Sequence, residues 1–390
     1  MRSSILSYPL LATLIATSAV VVACSSSPST GGDGSPITHP GDTSSGSGSS
    51  GSSSGGSSSG GGSSGGGSGS SGSGSGSSSG GSSSGSTVDA GPTSTISADT
   101  TWADGMKITG PTTIAAGVTV TIANGATITV SAGASITIEG TLTATNATKH
   151  AVLTGTGWPG LVIAAGGTLN ANSLDISGAT LALDVTGTAE YDAATITSST
   201  PFKVEINGAL TTKNATVTTA TGESTIEGGT FTASYLDYDA NASGALEIAA
   251  GTVNISDSTF HTTVLDSPPD MITSSGPSSL TMIYTEIAGR HCSFHFDDVT
   301  SFDLENLNVH DSDYGFMMWG STPTSGTRVV KNSNFDDQQY GIHEEGTNGP
   351  ITVTGCYFSS TSAIHLADQE ITISGTATAA NANVGPRPAQ

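Results

Sequence analysis

Ala116-Gly117-Val118-Thr119-Val120-Thr121-Ile122 is followed by Asn124-Gly125-Ala126-Thr127-Ile128-Thr129-Val130. Then come Ala132-Gly133-Ala134-Ser135-Ile136-Thr137-Ile138 and Glu139-Gly140-Thr141-Leu142-Thr143-Ala144. Val and Ile alternate with Thr, so each segment puts branched apolar side chains on one face and hydroxyls on the other. That is the period-2 pattern of a half-buried strand. The glycines at 117, 125, 133 and 140 step by 8, 8 and 7 residues, and glycine accepts the positive φ that a tight corner needs. No stretch of the chain carries a convincing helical period.

A longer period lies over the short one. Ile163, Val185 and Ile206 are spaced by 22 and 21 residues, and Phe294, Phe316, Ile342 and Ile364 by 22, 26 and 22. Three short strands with three turns amount to about 22 residues, and self-similarity at such a period marks a solenoid of stacked coils. The expectation is an all-β domain over residues 96–378. Trp102 is expected in a cap over the first coil, whose open edge needs cover. Gly155 to Gly160 reads as a corner before Leu161-Val162-Ile163.

This domain resembles the right-handed parallel β-helix of the pectate-lyase-like architecture. The resemblance is most specific in Ile114 to Ala144, in Asn332-Ser333-Asn334-Phe335 and in Tyr340-Gly341-Ile342. It implies a fold and little about activity, because function lives in sites grafted on folds.

Ahead of the domain, Arg2 is followed by an apolar run, Leu10 to Val22, too short to span a bilayer comfortably. Val21-Val22-Ala23-Cys24 resembles the lipobox of bacterial lipoproteins, in which the cysteine takes lipid on its sulfur. The resemblance implies a signal peptide over 1–23, lipidation of Cys24 and a membrane partner through that lipid. Ser25 after the cysteine implies the outer membrane or cell surface, with the domain extracytoplasmic. Every residue from Ser44 to Ser86 is Gly or Ser. Such a segment buries too little apolar surface to offset its chain entropy, so 24–95 reads as a disordered linker. The roughly 65 residues between lipid and fold give an r.m.s. span on the order of 45 Å. Residues 379–390 read as a disordered tail.

The net charge of -23, with Lys plus Arg only 9 of 390 residues, argues against nucleic acid, since neutralising phosphates needs a basic surface. It also disfavours polyanionic sugars unless Ca²⁺ bridges the like charges. Besides Cys24 there are only Cys292 and Cys356, too few for a disulfide framework. Coil alignment puts them in different columns, so free thiols are expected.

Six of the eight histidines fall between His261 and His365. With Phe294, Phe316, Ile342 and Ile364 inward, His295, Met317, His343 and His365 form one outward column. Asp297, Trp319, Glu345 and Ala367 form the next. Adjacent coils lie about 4.8 Å apart, so His343 and His365 are expected side by side. Three readings of this face stay open. It is a carbohydrate-binding strip with Trp319 as stacking platform, or a Zn²⁺ site of His343, His365 and Glu345, or a row of solvated outward residues. His295, two coils from His343, is not expected to share an ion with it.

Asp297-Asp298 and Asp336-Asp337 are similar to the paired acids of polygalacturonase-type hydrolases. The similarity stops there, because strand neighbours point to opposite faces, no Gly-His-Gly follows, and no Lys or Arg lies between Asn332 and Pro386. The polysaccharide-lyase comparison needs a basic residue beside Ca²⁺-binding acids. Arg290, Arg328 and Lys331 fall outside the outward columns, while Asp311 and Asp313 are candidates for holding Ca²⁺. Thr119/Thr121 and Thr127/Thr129 recur every 8 residues rather than once per coil, against an ice-binding face. The resulting expectation is a surface-displayed module that binds cell-surface or environmental carbohydrate. The alternative is a polysaccharide lyase or glycoside hydrolase acting on the His/Asp/Trp face.

Overall fold

The computed structural model describes residues 93–389 except 146–147, 220, 242–243, 263–269, 290, 298, 320–325, 337, 346–349, 361 and 367–370. Cys24 with its leader, the Gly/Ser tract, Arg290, Asp298, Asp337, Ala367 and nearly all of the loops after Trp319 and Glu345 lie outside the described residues.

The described residues form an all-β parallel solenoid with about 22 residues per turn and no helix. A turn contributes three short strands. Gly160–Ile163, Thr168–Asn172 and Leu174–Ala179 make one turn, and they pair in parallel with Leu181–Val185, Thr188–Asp192 and Thr195–Ser198 of the next. Alternation sends every second side chain inward. Ile136, Leu161, Leu183 and Phe202 stack in register and are at most 2% exposed. Each burial of this kind stabilises the fold by roughly 1.5–3 kcal/mol.

The filling changes along the rod. Ile, Val and Leu dominate the opening turns, whereas Phe294, Phe296, Phe302 and Phe316 pack together further on, with centroids 5.3–6.0 Å apart. Arg328 and Glu344 also lie inside, both buried.

The register from Phe294 through Phe316 and Ile342 to Ile364 is as the spacing predicts. Ile364 is 40% exposed because few turns follow it. The earlier spacing misplaces one residue. Val185 pairs with Val204, and Ile206 is 63% exposed at the bend beyond. Val204 and Ile206 share one alternation phase, so periodicity could not separate a strand position from a bend. Gly155 to Gly160 is likewise not a plain corner. Ala151–Trp158 is a strand, and the Trp158 indole is buried and donates to the Ser177 carbonyl at 3.0 Å. Trp102 is buried near the N-terminal end and pairs with Ile122.

Gly117, Gly125 and Gly133 take the positive φ expected of corners, 78°, 66° and 77°. Gly140 serves differently, since a Cβ there would meet the carbonyl oxygens of Ala115 and Val118 at 2.3 Å. Further along, one left-handed residue per turn makes the bend between second and third strands. This column runs Ser173, Ala193, Asn214, Tyr235, Asp257, Tyr284, Asn306, Asn332 and Gly355. Asn and Asp tolerate this conformation better than other side chains, so a corner need not announce itself with glycine.

The segment read as a tail packs back over this same column. The Asn381 amide donates to Asn334 Oδ1 at 2.9 Å and the Gly385 amide to the Asn306 carbonyl at 2.9 Å. Arg387 reaches Asp257 and lies 3.9 Å over the Tyr284 ring. Residues 379–389 carry little apolar patterning, so their partners, not their own sequence, order them.

Candidate functional site

Four neighbouring strands carry the candidate face: Cys292–Phe296, Tyr314–Trp319, Tyr340–Glu345 and Ala363–Leu366. His295, Met317, His343 and His365 stand in one column, and Trp319 pairs with Glu345 in the next. The register of the first column and the Trp319–Glu345 step match the sequence alignment, but Met317 and His343 are buried rather than open to solvent.

Alternation alone would send Tyr314 and Tyr340 inward, two residues before Phe316 and Ile342. Gly315 and Gly341 change this. A Cβ on Gly315 would meet Phe335 and Gln338 at 2.7 Å, and one on Gly341 would meet Phe358 at 2.6 Å. Both glycines therefore face the interior, and the tyrosines before them turn to the outer face. The repeated Tyr-Gly pair was the available signal.

The result is an aromatic strip along the solenoid. Tyr314 and Tyr340 stack with centroids 5.4 Å apart and planes 11° from parallel. His343 and His365 stack at 4.7 Å and 22°. Tyr340 and Tyr314 meet His343 edge-on at 4.9 and 5.2 Å, and His291 meets Tyr314 at 4.9 Å. Trp319 flanks His295 at 6.3 Å and is 51% exposed. Half-buried tyrosines beside an exposed indole offer flat apolar faces with polar rims.

Carboxylates line this strip. His343 Nε2 contacts Glu345 Oε1 at 2.9 Å. His295 is held on both sides, Nδ1 at 2.5 Å from Asp270 Oδ2 and Nε2 at 3.6 Å from Asp297 Oδ1. Hydrogen bonds to Asp270 and Asp297 overcome burial and push the His295 imidazole up to about 9. Burial alone would raise the Asp270 carboxyl, but the His295 hydrogen bond and charge hold it below the ordinary carboxylate range.

The expected metal ligands do not converge. Stacked imidazoles hold their in-plane lone pairs side by side, so His343 and His365 do not aim at a common point with Glu345. Among the described residues the one convergent group is Asp270, Cys292 and His295, whose ligand atoms all lie within 4.8 Å of one another. Of these the sequence reading held only His295 as a candidate, because Asp270 reaches it from the preceding turn. Cys292 and Cys356 are both free thiols and both buried.

Asp311 and Asp313 are exposed and engage histidines, His310 at 2.7 Å and His291 at 3.2 Å. Of the bases considered for elimination chemistry, Arg328 is inside the solenoid, its Nε donating to the Val299 carbonyl at 3.4 Å. Lys331 sits between Asp303 at 3.0 Å and Glu305 at 3.1 Å. No family model matches this chain, and no curated protein or solved structure matches it either.

Proposed function

We propose that the strip of Tyr314, Tyr340, His343, His365, His295 and Trp319 binds carbohydrate. We further propose that a lipid on Cys24 and the Gly/Ser linker display it at a bacterial outer membrane or cell surface, on a β-helix of the pectate-lyase-like kind. The observation that carries the reading is the Tyr314–Tyr340 stack beside His343–His365, flanked by Trp319 half in solvent. Pyranose rings present C–H faces to aromatic planes and hydroxyls to a polar rim. Glu345, Asp297 and the imidazoles of His295 and His365 supply that rim, with His343 buried behind it. Val21 to Cys24 and the run from Ser44 to Ser86 support the anchored, tethered display. Binding is preferred to elimination because two of the bases considered for it, Lys331 and Arg328, are engaged away from the strip.

A glycan array probed with the full chain, followed by calorimetric titration of the hits, tests the reading. Trp319→Ala and Tyr340→Ala should each weaken binding by about tenfold, the cost of removing a stacking contact at an interface. Trp319→Ala should leave the melting temperature nearly unchanged, since half-exposed side chains contribute little to the core. An array without hits overturns the proposal. Unsaturated products or new reducing ends would assign catalysis to the face instead.

A further inference from the structure

A thiol, an imidazole and a carboxylate from two successive turns meet beside the aromatic strip. Cys292 and His295 belong to the strand Cys292–Phe296, and Asp270 lies one turn earlier, next to Met271, whose amide donates to the Cys292 carbonyl at 2.7 Å. We propose that Asp270, Cys292 and His295 form a Zn²⁺ site with a fourth position open to water or a ligand.

The donor set suits this ion. Zn²⁺ takes Cys sulfur, His nitrogen and Asp oxygen in tetrahedral arrays, and sites with three protein ligands keep one position open. The supporting contacts are also in place. A zinc-bound histidine usually donates its other ring N–H to a carboxylate. Here Nδ1 faces the cluster and Nε2 faces Asp297 Oδ1 at 3.6 Å. The Cys292 amide donates to Asp270 Oδ1 at 3.1 Å, which leaves Oδ2 for the ion. The side chains of Asp270 and His295 are 17% and 25% exposed, so an ion can arrive from solvent. Cys292 is fully buried, its sulfur 3.5 Å from Met317 Sδ, which suits a ligand and not a nucleophile that must meet a bulky substrate.

The ligand atoms, within 4.8 Å of one another, must close at their widest separation and open at their narrowest, each by about 1 Å. Two ligands on a tetrahedral Zn²⁺ stand about 3.3 Å apart, so the Asp270–His295 pair must open from 2.5 Å by less than about 1 Å. Coordination releases the Cys292 thiol proton and the proton between Asp270 and His295 to solvent. The bound site then holds Zn²⁺, one thiolate, one carboxylate and a neutral imidazole, with charges that cancel.

The test is titration of the full chain, stripped with chelator, by Co²⁺ and then Zn²⁺. A single equivalent of Co²⁺ should develop thiolate-to-metal charge-transfer absorption, Zn²⁺ should bleach it, and Zn²⁺ should raise the melting temperature, as for any ion that binds only the folded state. Cys292→Ser should abolish the band, whereas Cys24→Ser and Cys356→Ser should leave it. Asp297→Asn should weaken Zn²⁺ affinity by about 10- to 100-fold, the usual cost of losing the carboxylate behind a ligand histidine. If Cys292→Ser fails to fold, His295→Gln at the more exposed ligand reads the same loss. A wild-type chain with neither band nor thermal shift overturns the site, as does a band that survives Cys292→Ser or, where that variant does not fold, His295→Gln. Glycan binding does not enter the measurement, so this proposal and the carbohydrate reading stand or fall separately.

Discussion

Arg387 and Asp257, 130 residues apart, form a two-pronged ion pair, Nε to Oδ1 at 2.6 Å and Nη2 to Oδ2 at 2.8 Å. The guanidinium also covers the Tyr284 ring. Asp257 and Tyr284 are successive members of the left-handed corner column, so Arg387 clamps the C-terminal segment across two neighbouring turns that are distant from it in sequence.

Arg387→Ala should free this segment while leaving the solenoid folded. Hydrogen exchange over residues 377–389 should speed up, and proteolysis should begin there. The hydrogen bond from Arg387 holds the Asp257 carboxyl below the ordinary aspartate range. A depressed carboxylate contributes stability above the unfolded value of about 3.9 and loses it as pH falls through the folded one. Exchange in the segment should therefore accelerate only on acidification below about pH 4. Equal exchange in wild type and variant would show that the clamp does not hold the strap.

Ile342 is inward, 1% exposed and stacked between Phe316 and Ile364. Ile342→Asp places an unpaired charge in the core and should unfold neighbouring turns. Phe316→Ala, at the centre of the phenylalanine cluster, should cost about 3–5 kcal/mol. Denaturant unfolding followed by circular dichroism measures both, and a loss below about 1 kcal/mol would contradict the burial.

Ala193 holds φ at 47° without a side chain that eases the conformation. A left-handed L-residue is strained by about 1–2 kcal/mol, part of which glycine returns as greater freedom in the unfolded chain. Ala193→Gly should accordingly stabilise the fold by about 0.5–1 kcal/mol, measured as a raised denaturation midpoint. A lowered midpoint would mean that the corner is not strained.

His310 lies between Glu286 at 3.2 Å and Asp311 at 2.7 Å. Its column continues to Ala288 on one side and Asp336 on the other, with His261 beyond Ala288. The hydrogen bond to Glu286 leads the effects that push His310 up to about 9 despite burial. A raised histidine contributes stability that is fully present below the unfolded value of about 6.5 and is lost as pH climbs through the folded one. Wild type should lose melting temperature between about pH 6.5 and 9, and His310→Gln should flatten that slope. An unchanged slope in the variant would remove His310 from the account.

Much of the fold is legible in the sequence, and the reason is repetition. Thr119 to Ile122 and Ser135 to Ile138 each state which side chains face inward, and each turn restates it about 22 residues on. The shared column of His295, Met317, His343 and His365 followed from aligning four apolar residues, though Met317 and His343 lie buried within it. Where the repeat lost a distinguishing residue, as between Val204 and Ile206, the reading slipped.

The sequence by itself determined the strands, the parallel stacking and the columns that share a face, because alternation and coil period are local and written many times over. The tertiary structure alone decided how those columns are used. It turned Tyr314 and Tyr340 outward through Gly315 and Gly341, and stacked His343 on His365 so that they cannot share an ion with Glu345. It also brought Asp270 to Cys292 and His295, and laid Arg387 on Asp257. Each of these depends on side-chain torsions and on contacts between residues a whole turn or more apart. A period-2 pattern says which face a residue takes, and it carries no information about where on that face its polar atoms point.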